Sequence, residues 1–552
     1  MNPLAGEKEG VPRREGRRGQ QRWVVEKGGP YAENLEVDAL IVGAGFAGIF
    51  MLKTLRQRGY KTVIFEAGND TGGTWRWNCY PGAGVDSEVP EYEFSWPEVW
   101  KTWDWTSNYP NYQDLRAYFD HVDKVIGVKK DCAFNTVVVG ANFDTSTGKW
   151  TVRTEDGRIT RAKYLILGTG FAARRYIPDW PGMDKFKGVI HHSSFWPDQE
   201  IDVKNKRCAV IGTGASGVQI VQAWGPAAGE VKVFQRTPNL AIPMRRRQVD
   251  PSERGAPPGP LPRDVQASRD QLCRVHSRKP SSSSSGKKVG SGTGWPPIRT
   301  ASLYPKPTTK RTTSGPRRRG TGSETRGSGI SSRQKKGPHY FGIKRPCLEY
   351  NYYEQFNRPS VDVVDIKNNP IKEFTETGIT LADGTHHEFD VIAVATGFDV
   401  VTGVMTQLGL ESINKTKLEE EWSTGAQTYL GTSVSGYPNM FHIYGPHGPT
   451  LFSNGPSTVE VQGRWIADMV DKMQRRGIKY VNPKAEAAAA WKKHVVELND
   501  RTLFPTTRST YMGGNMPGKP YEPVCYVGGI PAYKTEIREA LDSMQGFEVV
   551  AN

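Results

Sequence analysis

The hydrophobic positions near the start of the chain change period twice within thirty residues. Residues 40–42 form a short apolar run, which is typical of a buried parallel strand. The next apolar positions recur at the spacing of one helix face: Ile49, Leu52 and Leu55. Gly59 then supplies a helix stop signal, and residues 62–65 form a second strand-like run. The pattern predicts a strand, a helix and a second strand of one parallel sheet.

The glycines between the first strand and the helix follow the spacing G-x-G-x-x-G. Gly43 allows a tight turn, Gly45 lets the backbone approach a pyrophosphate, and Gly48 lets helix and strand pack closely. The second run ends in Glu66, whose carboxylate can accept hydrogen bonds from a ribose diol. Strand, glycines, helix, strand and terminal acid together predict a dinucleotide site rather than a purely structural βαβ unit.

A second unit of the same type begins at residue 207 and ends differently. Residues 208–211 form the strand, and three glycines at the same spacing follow: Gly212, Gly214 and Gly217. The next strand, residues 231–234, leads to Arg236 instead of an acid. An arginine at this point suits a ribose 2′-phosphate, so the second nucleotide is predicted to be NADP and the first FAD. The two units together imply a flavoprotein that is reduced by NADPH.

The cysteines narrow the choice of enzyme class. None of the six forms a CxxC pair: Cys79, Cys132, Cys208, Cys273, Cys347 and Cys525. This spacing argues against a metal site and against the redox dithiol that thioredoxin-reductase-like flavoproteins need. Flavin reductases and oxygen-using monooxygenases are the enzyme classes that remain.

No apolar run reaches 18 residues, and residues 1–22 are basic without an apolar stretch. We therefore expect no membrane span, no secretory signal and a cytoplasmic protein.

Glycine and aromatic residues alternate from residue 72 to residue 86. This alternation is typical of a loop that lies against a flat ring system, although an aromatic surface loop is the alternative. The loop supplies Thr74, Trp75, Trp77 and Asp86 as candidate cofactor contacts, and Tyr92 follows it. It is therefore predicted to border the first nucleotide site.

A fingerprint between the two units resembles that of a known family. Its fixed positions match F-x-G-x-x-x-H-x-x-x-W-P: Phe186, Gly188, His192, Trp196 and Pro197. This is the fingerprint of type I Baeyer–Villiger monooxygenases, whereas flavin-containing and N-hydroxylating relatives usually carry Tyr where Trp196 stands. The resemblance continues through residues 72–86, 341–346, 390–399 and 513–520, and it covers roughly residues 30–245 and 338–540.

The resemblance implies an α/β fold with two Rossmann-like dinucleotide-binding domains and a specific chemistry. FAD is reduced by NADPH, O2 adds to flavin C4a, and the anionic peroxyflavin attacks a ketone to give an ester or lactone. Arg345 matches the catalytic arginine of the family, and Asp86 matches the acid that positions it. Lys344 matches a residue on the NADP 2′-phosphate, and His192 and Trp196 match residues that link the two domains.

The expected site combines both lines of reasoning. The catalytic residues are Arg345 and Asp86, and no metal is expected. The cofactor-binding residues are Gly43, Gly45, Phe46, Gly48, Glu66, Thr74, Trp75, Trp77, Asp86, Tyr92, Gly212, Thr213, Gly214, Gly217, Gln219, Arg236, Thr237 and Lys344. Residues 445–456 are the candidate substrate lining. Thr510 departs from the family, many of whose members carry Trp at that position.

The formal charge of +15 comes from one interval. Residues 256–336 hold 18 Lys or Arg against 3 Asp or Glu, and Gly, Pro, Ser and Thr dominate them. Such a composition predicts disorder, whereas the family carries a helical subdomain of similar length here. Preserved length with altered composition suggests an out-of-frame reading, and a real insertion is the alternative. Nucleic-acid binding is disfavoured, because Trp295 and Tyr304 are the only aromatic residues in the interval and no binding module is recognisable.

The predicted division of the chain follows from these patterns. Residues 1–35 form a basic extension, residues 36–175 and 389–552 the FAD-binding domain, residues 176–245 and 337–388 the NADP-binding domain, and residues 246–336 the low-complexity segment. The expected partners are a small ketone and O2. Oxidation of a soft N or S atom, and an inactive homologue owing to segment 246–336, are the alternative functions.

Overall fold

The protein is described here from a computed structural model that covers residues 35–250, 340, 342–451 and 453–552. The predictions of a disordered or misread segment, and most of the basic extension, fall on residues outside this range. Residues 246–250 lie inside it and correct one boundary. Arg247 donates its backbone N–H to Asn108 Oδ1 at 2.8 Å, and Val249 donates to the Thr106 carbonyl at 3.0 Å. The packed chain therefore continues past the predicted boundary at residue 245.

The strands and helices are numbered in chain order. The strands are β1 (Leu35–Val42), β2 (Thr62–Phe65), β3 (Cys132–Ala133), β4 (Val138–Asp144), β5 (Lys149–Thr154), β6 (Ile159–Leu167), β7 (Val189–His192), β8 (Arg207–Ile211), β9 (Glu230–Gln235), β10 (Ala241–Pro243), β11 (Cys347–Glu349), β12 (Val361–Asp365), β13 (Ile371–Phe374), β14 (Gly378–Leu381), β15 (His386–Glu388), β16 (Val391–Val394), β17 (Leu410–Glu411), β18 (Met440–His442), β19 (Ile478–Pro483) and β20 (Phe547–Ala551). The helices are α1 (Phe46–Gln57), α2 (Thr74–Trp77), α3 (Pro97–Trp100), α4 (Tyr112–Ile126), α5 (Ala215–Trp224), α6 (Tyr352–Gln355), α7 (Leu418–Glu421), α8 (Gly455–Arg475), α9 (Ala485–Asp500) and α10 (Ile530–Ser543). Short 3₁₀ turns lie at Lys129–Asp131, Met183–Lys185, Met405–Gln407, Phe504–Thr506 and Thr510–Met512.

The first sheet carries the first glycine turn. Its strand order is β17-β4-β5-β6-β1-β2-β3, and β18 pairs in parallel with the end of β6. Strands β1, β2, β6 and β18 run parallel, so their carboxyl ends meet at one edge. Helices α1 and α8 cover one face with a continuous apolar core, and a second apolar cluster covers the other. The predicted strand–helix–strand unit is confirmed.

The second sheet is fully parallel and has the order β12-β9-β8-β16-β7. Strand β16 lies between β8 and β7, with Ile392 opposite both Ala209 and Ile190. The predicted return to the first domain at residue 389 is therefore too early, because β16 belongs to the second sheet. Strands β13, β14 and β15 form a small antiparallel sheet that packs on the same core through Phe374 and Ile379.

Two chain segments connect the sheets, and they pair with each other. Residues 168–176 leave the first sheet and residues 395–401 return from the second. Tyr176 donates its N–H to the Gly397 carbonyl at 2.9 Å, Asp399 donates to Arg174 at 2.9 Å, and Val401 donates to Phe171 at 2.7 Å. We call these two segments the connector pair. Over the residues that the structure describes, no helix is long and apolar enough to cross a membrane.

Candidate active site

At two of its three glycines, Gly43 and Gly48, the first glycine turn leaves no room for a side chain. Gly43 adopts φ +104°, and a Cβ there would lie 2.6 Å from the Gly168 carbonyl oxygen. A Cβ on Gly48 would lie 1.8 Å from the Gly43 carbonyl oxygen, so α1 packs directly on the turn. Gly45 is the N-cap of α1 and gives no side-chain cap, which leaves the first N–H groups of the helix for a ligand. The turn fits the pyrophosphate of a dinucleotide.

Glu66 lies at the end of β2, as predicted, but its carboxylate also holds the glycine turn together. Oε2 accepts the Ala44 N–H at 2.7 Å, Oε1 accepts the Gly68 N–H at 2.6 Å, and the Trp77 side chain donates a further hydrogen bond. Burial raises the pKa of Glu66, against these hydrogen bonds. The predicted contact with a ribose diol stays a prediction, and the structural role was missed by sequence reasoning.

The aromatic residues of the predicted FAD site form a connected wall beside this turn. Phe46 meets Tyr92 edge-on with ring centroids 5.3 Å apart, and Trp75 Nε1 donates to the Tyr92 hydroxyl at 3.2 Å. Trp75 is buried in the core of the first domain, whereas Thr74 at the start of α2 is exposed. Gly73 lies against the glycine turn, because a Cβ there would be 2.8 Å from Gly45 Cα.

The predicted catalytic pair is formed, although its members are 259 residues apart. Arg345 donates from Nε to Asp86 Oδ2 at 2.7 Å and from Nη2 to Asp86 Oδ1 at 2.6 Å. The charge of Asp86 raises the pKa of Arg345 further, so the guanidinium stays protonated at any working pH. The two side chains remain 40% and 30% exposed, so the pair is open to a ligand.

Two tyrosines near this pair were missed by sequence reasoning. Tyr444 and Tyr511 both lie within electrostatic range of Arg345. Burial raises the pKa of Tyr444 to about 12 and also raises that of Tyr511, while the charge of Arg345 opposes both shifts. Their positions in the sequence gave a weak signal, because Tyr444 precedes the candidate substrate loop and Tyr511 follows Thr510.

The second glycine turn repeats the geometry of the first. Gly212 adopts φ +114°, and a Cβ on Gly217 would lie 2.1 Å from the Gly212 carbonyl oxygen. Gly214 caps α5 without a side-chain hydrogen bond, and a Cβ there would meet no atom within 4 Å. Thr213 Oγ1 donates to the Thr237 carbonyl at 3.1 Å and ties the turn to the end of β9. This turn also fits a pyrophosphate.

Two cations meet beside the second turn. Arg236 follows the end of β9 and is exposed, while Lys344 is half-buried and lies within electrostatic range of Arg236. Burial, and then the charge of Arg236, lower the pKa of Lys344. Two cations within electrostatic range of each other favour a bound anion, which fits the predicted 2′-phosphate.

The side chain of Gln219 forms hydrogen bonds between the two domains rather than pointing freely toward a nucleotide site. Its Oε1 accepts the Tyr80 hydroxyl at 2.6 Å, and its Nε2 donates to the Gly84 carbonyl at 3.0 Å. A Cβ on Gly82 would lie 2.6 Å from the Gln219 carbonyl oxygen, so helix α5 presses directly on the loop of residues 72–86. The predicted cofactor contact of Gln219 stays a prediction.

The side chains of the fingerprint residues Phe186, His192 and Trp196 are buried. His192 is fully buried at the end of β7, its Nδ1 accepts the Ser194 N–H at 3.1 Å, and burial lowers its pKa to about 3. It is therefore neutral near pH 7 and is no proton carrier there. A Cβ on Gly188 would lie 2.6 Å from the Asp390 carbonyl oxygen and equally close to the ring of buried Phe186.

Trp196 and the acid two positions later join the second domain to the loop of residues 72–86. The Trp196 carbonyl accepts from Cys79 Sγ at 3.4 Å, and its ring packs 5.8 Å from that of Trp224 on α5. Asp198 accepts two hydrogen bonds from Arg76, at 2.8 and 3.0 Å, and one from Arg116 at 3.2 Å. Asp198 was not predicted from the sequence.

Among the described residues, no group of three or more His, Cys, Asp or Glu is placed to hold a metal ion.

The comparisons with known proteins agree with this geometry. Residues 37–246 match the family described as flavin-binding monooxygenase-like. The chain is 51% identical over 542 residues to the FAD-binding monooxygenase acrE of Aspergillus aculeatus, covering 95% of this chain and 90% of the relative. It is 35% identical over 526 residues to cyclopentanone 1,2-monooxygenase of a Comamonas species, covering 92% of this chain and 95% of the relative.

Solved structures give the same result. The cyclohexanone monooxygenase of Rhodococcus sp. Phi1 bound to NADP+ matches with a TM-score of 0.80 and 28% identity, over 94% of this chain and all of that one. The enzyme OTEMO in complex with FAD and NADP matches with a TM-score of 0.78, again at 28% identity and with the same coverage. The predicted two-domain α/β fold and the prediction of FAD and NADP as cofactors are confirmed at the level of the family. The chain belongs to the Baeyer–Villiger group of the flavin-binding monooxygenase family.

Proposed function

We propose that this protein is an NADPH- and O2-dependent monooxygenase that inserts one oxygen atom beside a ketone carbonyl, giving an ester or lactone. The observation that carries the proposal is the Arg345–Asp86 pair, which joins a permanent cation to the loop beside the first glycine turn. Relatives named for cyclopentanone and acetone support a small ketone as the substrate class. A cytoplasmic location stays a prediction.

The residues of the first glycine turn, with Phe46 and Tyr92 beside them, would hold FAD, and FAD reduced by NADPH supplies the oxygen-activating chemistry. Gly212, Gly214 and Gly217 would hold the NADP pyrophosphate, with Arg236 and Lys344 on the 2′-phosphate. The ends of α1 and α5 favour these phosphates because their N-terminal N–H groups carry no side-chain cap.

Arg345 would stabilise the negative charge that develops on the ketone oxygen when the carbonyl carbon is attacked. Asp86 accepts hydrogen bonds from Nε and Nη2 of Arg345, while Nη1 of Arg345 makes no hydrogen bond with the part of the chain that the structure describes. This arrangement fixes the plane of the guanidinium and leaves one edge to donate to an oxyanion. A donor held in place before the reaction needs no reorganisation in the transition state.

Replacing Arg345 should separate the two half-reactions. In Arg345→Ala the flavin should still be reduced by NADPH, because hydride transfer forms no oxyanion on the ketone. Ester formation should fall by roughly 10²–10³, the usual effect of removing one such donor. NADPH oxidation should then continue with release of hydrogen peroxide. The measurement is the ratio of ester formed to NADPH consumed, with cyclopentanone as the probe.

Asp86→Ala should lower this ratio less, because the arginine charge remains but is less well placed. Arg153→Ala is a matched control, since Arg153 is an exposed arginine on β5 in the first domain. An unchanged ratio in Arg345→Ala would overturn the catalytic assignment. Sulfide oxidation alone would not distinguish this function from the oxidation of a soft N or S atom, whereas ester formation from a ketone does.

A further inference from the structure

Asp399 lies where the connector pair meets the C-terminal part of the chain. It is the last residue of the predicted motif at residues 390–399, and its side chain is 12% exposed. One carboxylate oxygen lies 2.7 Å from Lys519 Nζ, and the other lies 3.2 Å from Arg174 Nη1. Arg174 belongs to the outgoing connector, so Asp399 joins three separate segments of the chain.

The loop of residues 509–520 is attached to the connector pair at more than one point. Lys519 Nζ also donates to the Val400 carbonyl at 2.7 Å, and its side chain is 12% exposed. Asn515 Nδ2 donates to the Phe398 carbonyl at 2.8 Å. We call residues 509–520 the C-terminal loop. The side chains of Lys519 and Asn515 therefore both contact residues 398–400.

The other side of the C-terminal loop faces the catalytic pair. Tyr511 and Met512 pack in one apolar cluster with Ile343, which is fully buried two residues before Arg345. Val400 of the connector pair and Leu451 of the candidate substrate loop belong to the same cluster. The segment that carries Arg345 is therefore packed against the loop that Lys519 anchors.

We propose that Asp399 and Lys519 are positioning residues, whose ion pair holds the C-terminal loop against the connector pair and thereby fixes Ile343 and Tyr511 beside Arg345. This role rests on the proposed function, because it concerns the step in which Arg345 acts. Neither residue touches the catalytic pair directly. Removing Lys519 leaves Asp399 with Arg174 as a partner but removes both contacts of Lys519 with Asp399 and Val400, so the loop should detach more readily from residues 398–400.

The first readout is amide hydrogen exchange of the loop in the FAD-loaded protein without substrate. Lys519→Met should speed exchange in peptides that cover residues 509–520 by about tenfold or more, the effect of losing a charge-assisted hydrogen bond. Lys519→Arg keeps the charge and should return exchange most of the way to that of the unaltered chain. Arg56→Met is the control, because Arg56 pairs with Asp131 at the same 2.7 Å but lies on α1.

The second readout is ester formed per NADPH consumed with cyclopentanone, together with the rate of flavin reduction under anaerobic conditions. Lys519→Met should lower the ratio by about tenfold while flavin reduction changes by less than about twofold. Asp399→Asn should act in the same direction, and the effect of the double variant should be smaller than the two single effects combined, because both single variants weaken the shared ion pair. Lys519→Arg should restore most of the ratio.

If Lys519→Met speeds amide exchange in the loop but leaves the ratio of ester to NADPH unchanged, the positioning role is overturned. An equal fall of this ratio in Arg56→Met would also overturn it. Unchanged loop exchange would show that the ion pair does not hold the loop. These outcomes differ from a failure of the proposed function, in which the unaltered chain itself forms no ester. That result would overturn the proposed function and the positioning role together.

Discussion

The pair of cations beside the second glycine turn gives a quantitative prediction about cofactor preference. NADPH and NADH differ only in the 2′-phosphate, so a residue that binds this group should affect one cofactor and not the other. Arg236 is exposed and Lys344 is half-buried. A hydrogen bond to a charged group contributes about 1.5–3 kcal/mol. Because Arg236 is exposed, solvent screening places the contribution of its hydrogen bond near the lower end of this range.

Arg236→Ala should therefore lower kcat/KM for NADPH by about tenfold and leave that for NADH nearly unchanged. Lys344→Ala should have the larger effect, because a half-buried ammonium is less screened. The two losses should not add fully, since removing Arg236 also removes a repulsion that lowers the pKa of Lys344.

The same coupling predicts a dependence on pH. Burial and Arg236 lower the pKa of Lys344 in the free enzyme, so its charge is lost at a lower pH than that of a free lysine. As pH rises into this range, kcat/KM for NADPH should fall before that for NADH. In Arg236→Gln the fall should move to higher pH, because the repelling charge is gone. The measurement is the rate of flavin reduction by NADPH and by NADH between pH 7 and pH 10, which gives kcat/KM for each cofactor. Equal losses for NADPH and NADH in Arg236→Ala would refute the assignment of this site.

Two further predictions concern buried titratable groups. Glu66→Ala should reduce the flavin-to-protein absorbance ratio without changing the preference for NADPH over NADH, because the change loosens only the first glycine turn; full flavin content would contradict it. His442→Gln should reduce the loss of thermal stability between pH 8 and pH 5.5. The ordinary pKa of histidine near 6.5 is lowered by burial to about 3 in His442, so the neutral form is favoured in the fold and stability falls as pH drops below 6.5. One such group costs about 1.4 kcal/mol at pH 5.5, and an unchanged difference in melting temperature would contradict this assignment.

The local parts of the fold were predictable from the sequence because they depend on short-range patterns. The glycine turns follow from steric conditions that the structure shows directly, such as the 1.8 Å approach at Gly48. The Arg345–Asp86 pair was expected only through the family resemblance, since no spacing rule connects positions so far apart.

The assignment of β16 failed for a physical reason. Its four residues are apolar and fully buried, as in any central parallel strand, so they carry no information about which sheet they join. The contacts of Asp198 and Gln219 were missed for a related reason. Both are polar residues whose partners lie in another domain, and their own neighbours in the sequence do not indicate those partners.

The fingerprint and the acid that follows it contact the loop of residues 72–86, which carries Asp86 of the proposed catalytic pair. Three residues of the second domain contact this loop. Asp198 binds its start at Arg76, Trp196 binds its middle at Cys79, and Gln219 binds its end at Gly84. Two residues later the same loop presents Asp86 to Arg345, which the chain supplies after it has passed through the second domain. The geometry of the catalytic pair therefore depends on how the two domains are joined, and the buried, neutral His192 and Trp196 belong to that joint.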